Sequence, residues 1–285
     1  MRKHHRLKKI IKHGLILTLT ILFVLSSSFA YATQAQTVQA ANSTTKTNAA
    51  TKKALLAKWQ KILNQTDSAV QIVVYDKSSN QTYTLTNNKQ GTFTTASTVK
   101  VAILAGLLHM HEQNGTTLSS NEKALAEKMI KNSDNDAATT LFNEIGGFDG
   151  LNAVFEALGM TDTSSSNGWG LTVTTATDQL KLLNNVFYSS SYISSTSRNY
   201  IKTLMGDVSR DQNWGISAGS TTYQLKNGWR TDSDSRWIVD SIGHVGANNK
   251  GYTIAVYTYG NTTLASGETL IEQLAKATAE TLGSN

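Results

Sequence analysis

Apolar positions along this chain recur in two periods, near 3.6 and near 2, separated by polar stretches. In residues 52–65, KKALLAKWQKILNQ, the residues Leu55, Leu56, Trp59, Ile62 and Leu63 fall on one helical face. AVQIVVYDKSSNQTYTLTNN then alternates and predicts two strands joined by a polar turn at 77–81. The run from Val101 to Leu108 is apolar all round, which predicts a central helix, not a surface one. Helical spacing resumes over 121–131, 136–145, 150–158, 175–188 and 197–205, with Gly146-Gly147 and Gly159 as stops. From Leu225 strands return, as LKNGWR, RWIVDSIGHVG and GYTIAVYTYG, and an amphipathic helix over 266–281 closes the chain.

Strands at both ends with helices between them predict one α+β domain whose sheet draws on both ends of the chain, plus an inserted all-α lobe. The domain is expected at 52–285, with an α/β part at 52–112 and 206–285 and the helical lobe at 113–205. A cleft between the two parts is the expected place for a site.

The first 32 residues read differently. A basic stretch to residue 13 precedes an apolar run from Gly14 to Leu25 and then Ala30-Tyr31-Ala32, the layout of a secretory signal. Val38-Gln39-Ala40 offers a second cleavage point, so removal after 32 or after 40 stays open. The apolar run is shorter than the roughly 20 residues of a membrane span, so membrane contact is expected only through this segment if it is retained. Residues 33–51 are Thr, Ala, Gln and Asn with hardly a large apolar side chain, which reads as a disordered spacer.

Charge sharpens this. Six of the 26 Lys and Arg residues (Arg2, Lys3, Arg6, Lys8, Lys9 and Lys12) lie in the signal, and the remaining 20 match the 20 Asp and Glu. The basic balance therefore belongs to the targeting segment, and the domain has no electrostatic case for nucleic acid. With no cysteine there is no disulfide framework, and with no proline the turns rest on Gly, Asn, Asp and Ser. The histidines show no metal-ligand spacing: His4, His5 and His13 lie in the signal, and His109 and His111 lack the H-E-x-x-H pattern. No metal or cofactor is expected.

Candidate chemistry centres on Ser97 and Lys100, three apart at the mouth of the buried helix. On one helical face their hydroxyl and amine can meet, and burial lowers a lysine pKa toward that of a usable base. The S-x-x-K pattern alone is weak, since Ser43/Lys46 and Ser120/Lys123 repeat it in the spacer and at a helix start, where capping is the expected role. Ser133-Asp134-Asn135 and Lys226-Asn227-Gly228 change its weight. In this order the three motifs resemble the penicillin-recognising serine hydrolases, most closely their class A β-lactamase branch.

That resemblance covers nearly all of the expected domain and implies a β-lactamase/transpeptidase-like fold, with an antiparallel sheet flanked by helices. It implies Ser97 as nucleophile, Lys100 as its base and Ser133 as proton donor to the leaving nitrogen. Asn135, Lys226, Asn227, Trp229 and Arg236 are implied as substrate-binding, Trp229 together with Ser97 through backbone N–H groups that form the oxyanion hole. Two departures stand out. Asn227 replaces the usual Thr or Ser, and a second carboxylate contact falls to Arg230 or Arg236, of which Arg236 fits the family pattern better. No glutamate occurs between Glu156 and Glu268, so the loop over 160–175 lacks the family's water-directing Glu, and Asp162 is the one acid near it.

The expected function is therefore an exported, monomeric, cofactor-free serine hydrolase that acylates on a β-lactam or a peptidoglycan stem peptide and deacylates slowly. A D-alanyl-D-alanine peptidase-like enzyme and a catalytically weak wall-binding module are the alternatives. A G-x-S-x-G match at 215–219, followed by Asp240 and His244, lacks the strand and long helix of a nucleophile elbow and reads as accidental.

Overall fold

The computed structural model describes residues 47–87, 89–247 and 251–283. The expected signal at 1–32, and Ser43 with Lys46, lie outside them. By its internal contacts the chain divides into Met1–Ala50 and a compact unit, Thr51–Asn285. Of the first, only 47–50 are described, and they are helical. Of the spacer expected at 33–51, the described residues 47–51 are helical, where Ala49 and Ala50 favour helix.

The compact unit opens on helix α1, residues 51–63. Strands β1 (Ala69–Asp76) and β2 (Gln81–Thr86) form the expected hairpin, and a two-residue strand β3 (Phe93–Thr94) leads into a 3-10 turn, Ala96–Val99, and helix α2 (Lys100–Gln113). Helices α3 (Ser120–Lys131), α4 (Asn135–Glu144) and α5 (Gly147–Ala157) come next, then a 3-10 turn at Trp169–Leu171, strand β4 (Val173–Thr174), α6 (Ala176–Phe187) and α7 (Ser195–Gly206). Strands β5 (Tyr223–Thr231), β6 (Trp237–Val245) and β7 (Tyr252–Asn261) and helix α8 (Leu264–Leu282) complete it. Ser119, not Ser120, caps α3, in a reciprocal capping box with Glu122.

The main sheet is antiparallel throughout, in the order β2-β1-β7-β6-β5. The first strands thus pair with the last, and the α+β class and two-ended sheet are as expected. Both sheet faces are covered. Val70, Ile72 and Val74 of β1 pack with Leu55, Trp59 and Leu63 of α1 and Ile271 and Leu274 of α8. Val73, Ile242 and Tyr257 face the other way, toward α2 and the helical lobe. Every residue of α2 from Lys100 to Leu108 is buried, which explains its all-round apolar sequence. The one charged member of that run, Lys100, must find its partners inside.

Candidate active site

The site forms where the edge strand β5 passes the start of α2. Ser97 lies in the 3-10 turn Ala96–Val99, which runs straight into that helix. Ala96 takes a left-handed backbone, φ +43°, uncommon for a residue with a Cβ. Thr95, Ala96, Thr98 and Val99 are buried, while Ser97 keeps partial access to solvent. Gly228 permits the approach. A Cβ there would lie 2.7 Å from the Thr95 carbonyl oxygen and 2.8 Å from the Ser97 nitrogen, both fixed backbone atoms.

The fully buried Lys100 is the hub. Its Nζ lies 2.9 Å from Ser97 Oγ, 2.6 Å from the Ser133 carbonyl oxygen, 3.2 Å from Ser133 Oγ and 2.8 Å from Asn135 Oδ1. Ser133, at φ +57°, turns the chain into α4, whose N-terminus Asp134 caps by accepting from Ala137 N at 2.7 Å. This turn sets Ser133 Oγ between two amines, since Lys226 Nζ lies 2.9 Å away on the β5 side. Lys226, also buried, donates to the Asn227 carbonyl oxygen at 2.8 Å. The sequence pieces Ser97, Lys100, Ser133, Asn135 and Lys226 therefore meet in one hydrogen-bonded cluster.

Burial shapes its electrostatics. It draws Lys100 from an ordinary 10.5 down to about 7, with the Asp134 carboxylate opposing the shift. Lys226 is pushed well below its ordinary value, by burial first and by neighbouring Lys100 second. A neutral Lys100 has two hydrogens and one lone pair. The Ser133 carbonyl and Asn135 Oδ1 can only accept, so they take the hydrogens, and the lone pair is left for a hydroxyl, of which Ser97 at 2.9 Å is nearer than Ser133 at 3.2 Å. That arrangement puts a hydroxyl within hydrogen-bonding reach of an amine able to take its proton.

The remaining expected residues are placed otherwise. Asn227 is fully buried, donates to the Gln212 and Trp214 carbonyl oxygens at 2.8 and 3.1 Å, and accepts from Ser241 Oγ at 2.6 Å. Strand alternation sends it to the face opposite Lys226, so a substrate contact from its side chain is corrected to a structural tie. Trp229 shares that face, its ring edge-on to Trp214 with centroids 5.7 Å apart. Arg236 lies in the connecting loop of the β5–β6 hairpin: the last pair before that loop, Thr231 with Trp237, is five pairs or roughly 17 Å along from Lys226 and Ile242. Its guanidinium donates to the Gly260 carbonyl oxygen at 2.9 Å. A carboxylate contact from Arg236 at this site is therefore corrected as well. Arg230 is on the Lys226 face but 4.0 Å from Asp232 and outside the cluster.

Asp162 is exposed, and the nearby buried acid, Asp178, accepts from Asp162 N, from Thr163 Oγ1 and from Lys181. Ser217 sits in a 3-10 turn, His244 stacks on Phe187, and Asp240 accepts from Thr258 N, so no second triad is assembled among the described residues. Among them, too, no group of three metal-ligating side chains occurs. One residue at the site carried no sequence motif. The Trp169 ring lies over the Lys100 amine, 4.9 Å from Nζ to the ring centroid. Only its position in the loop expected to matter hinted at it.

The sequence model of the Beta-lactamase enzyme family matches residues 121–282. The chain belongs to that family. The match spans the second and third motifs and begins downstream of Ser97 and Lys100, which the fold supplies. A class A beta-lactamase from Bacteroides cellulosilyticus DSM 14838 superposes with a TM-score of 0.71 at 17% identity, over 82% of this chain and 99% of that one. TLA-1 extended-spectrum beta-lactamase gives 0.72 at 17% identity, over 81% and 99%. A PBP-A mutant solved as its acyl-enzyme complex with penicillin G gives 0.68 at 20% identity, over 80% and 95%. These likenesses establish a shared fold. A search of the curated proteins returned no match.

Proposed function

We propose that this beta-lactamase-family chain is an exported serine hydrolase that forms an acyl-enzyme on Ser97 with β-lactam amides and releases it slowly. The observation that carries the reading is the Lys100 amine, buried, drawn to a pKa of about 7, and 2.9 Å from the Ser97 hydroxyl. In acylation the Ser97 proton passes to Lys100 as Oγ bonds to the substrate carbonyl carbon. The backbone N–H groups of Ser97 and Trp229, on segments that Gly228 holds in contact, stabilise the oxyanion. The carbon–nitrogen bond then breaks, and the leaving nitrogen takes its proton from Ser133 Oγ, which Lys226 and Lys100 resupply from either side. Asn135 has its Oδ1 committed to Lys100, so its NH2 end is the one that meets the substrate amide carbonyl.

Deacylation needs a base to activate water. The loop over Lys100 presents Trp169, while Asp162 is exposed and Asp178 is committed elsewhere. Losing such a base costs about 100- to 10,000-fold. The same observation favours a second reading, a penicillin-binding D-alanyl-D-alanine peptidase-like enzyme with little β-lactam turnover. In both, the chain works as a monomer outside the membrane, delivered by its N-terminal segment, on a β-lactam or a stem peptide. A chromogenic cephalosporin followed by colour and intact mass separates them: repeated turnover supports the first, and one burst with a lasting adduct the second. No adduct at all would sink both and leave a wall-binding module.

A further inference from the structure

We infer that Trp169 is a positioning residue that roofs the Lys100 amine and closes the loop side of the acyl-enzyme to water, so that it governs how long the acyl group stays. The inference rests on acylation at Ser97 and concerns the later fate of the acyl-enzyme.

Three ties fix this roof. The indole N–H donates to Thr139 Oγ1 at 3.1 Å, and Thr139 in turn donates to the Asn135 carbonyl oxygen at 2.9 Å, which latches the ring to the helix that brings Asn135 into the site. Behind the ring, Thr172 Oγ1 donates to the Trp169 carbonyl oxygen at 2.7 Å, and the Thr172 carbonyl oxygen accepts from Thr95 N at 2.9 Å, two residues before Ser97. The pairing of β3 with β4 continues that strap. Farther out, the Asn152 amide and the Ser165 backbone exchange two hydrogen bonds of 2.9 Å. Gly168 precedes the ring at φ +144°, a conformation that residues with a Cβ rarely adopt. The loop is thus shaped to deliver a flat apolar face to one spot.

Its chemistry there is specific. Lys100 already has four oxygens within hydrogen-bonding distance, and the indole ring covers the amine without offering another acceptor. An aromatic face attracts an ammonium, but the same ring excludes the water that would otherwise solvate it. Burial as a whole favours the neutral amine, and the ring is part of what covers it. Hydrolysis of the acyl-enzyme requires water to add to the acyl carbon while its proton moves to a base and Ser97 Oγ leaves with a proton. A ring on the loop side removes the approach nearest to the amine. Leu171 and Val173, the large apolar residues that stay exposed among those described, follow the ring in the chain.

The test compares Trp169→Ala, Trp169→Phe and Thr139→Val with the parent protein, using penicillin G. Two quantities are read: the pH dependence of the acylation rate and the lifetime of the adduct by intact mass. Trp169→Ala should move the acid limb of the acylation profile upward by about one pH unit, as water reaches the amine, and shorten the adduct lifetime several-fold. Trp169→Phe, which keeps a ring over Lys100, should hold both near the parent values. Thr139→Val, which loses only the latch, should move both in the Ala direction by less. A folded Trp169→Ala protein with the parental limb and lifetime overturns the inference while leaving acylation on Ser97 standing. Should Trp169→Ala fail to fold, parental values in Thr139→Val overturn it. If the parent protein forms no adduct, the acylation reading itself has failed.

Discussion

Lys100 Nζ and Ser97 Oγ stand 2.9 Å apart; of the three other oxygens around that amine, the Ser133 carbonyl and Asn135 Oδ1 can only accept, and the Ser133 hydroxyl is farther than Ser97, at 3.2 Å. The lone pair of the neutral amine is therefore left for Ser97. The acylation rate is expected to rise with pH through about 7, where Lys100 loses its proton, and then level off. Lys100→Arg, which cannot deprotonate in this range, should abolish the adduct. Stopped-flow acylation from pH 5 to 9 checks both statements.

The same burial makes Lys100 a cost to the fold. Its folded pKa, about 7, lies below the ordinary 10.5, so between these values the unfolded chain binds more protons than the folded one. Stability from this group therefore rises with pH from about 7 to 10.5, and the penalty is full below 7. Lys100→Met should raise the melting temperature at pH 6 by more than at pH 9. A gain that does not vary with pH would contradict the account.

Asp240 behaves as the opposite case. It is fully buried between β5 and β7, its Oδ1 accepts from Thr258 N at 3.0 Å, and its Oδ2 has no partner. Burial pushes its pKa well above the usual carboxylate value. The folded protein thus holds a proton that the unfolded chain releases above about 4, so stability from this group falls as pH rises. The melting-temperature difference between Asp240→Asn and the parent should grow in the variant's favour from pH 4 to pH 8. A constant difference would show that Asp240 is charged in the fold.

Gly228 and Asn227 separate site geometry from structure on adjacent residues. Gly228→Ala forces a Cβ against the Thr95 oxygen and the Ser97 nitrogen, so it should cut acylation by roughly 100-fold, the scale of one oxyanion-hole donor. Asn227→Ala removes the buried donor to the Gln212 and Trp214 carbonyls and the acceptor of the Ser241 hydroxyl, and should destabilise the protein by about 1–3 kcal/mol. Rapid acylation kinetics and thermal denaturation on both variants give the contrast, and the reverse pattern would refute the assignment.

Much of the fold was legible in the chain because the signals were local. The period-2 and period-3.6 runs located the helices and the strands of the main sheet, and motif order brought Ser97, Ser133 and Lys226 together across more than a hundred residues. The failures were failures of direction. Asn227 and Arg236 occupy the right places in a pattern, but strand alternation turns the first away and hairpin length carries the second past the site. Trp169 was hardly legible for a related reason: its place over Lys100 depends on a loop held by β3, β4 and Thr172, and no periodicity encodes that closure. Ala49 and Ala50 show the composition argument erring the other way, since a polar, small-residue stretch ends in helix.

The most direct measurement is peptide mapping after the protein is incubated with penicillin G. The account predicts the mass of the intact ligand on the peptide containing Ser97, with no adduct in Ser97→Ala. An adduct on any other residue, or one that survives Ser97→Ala, would contradict it.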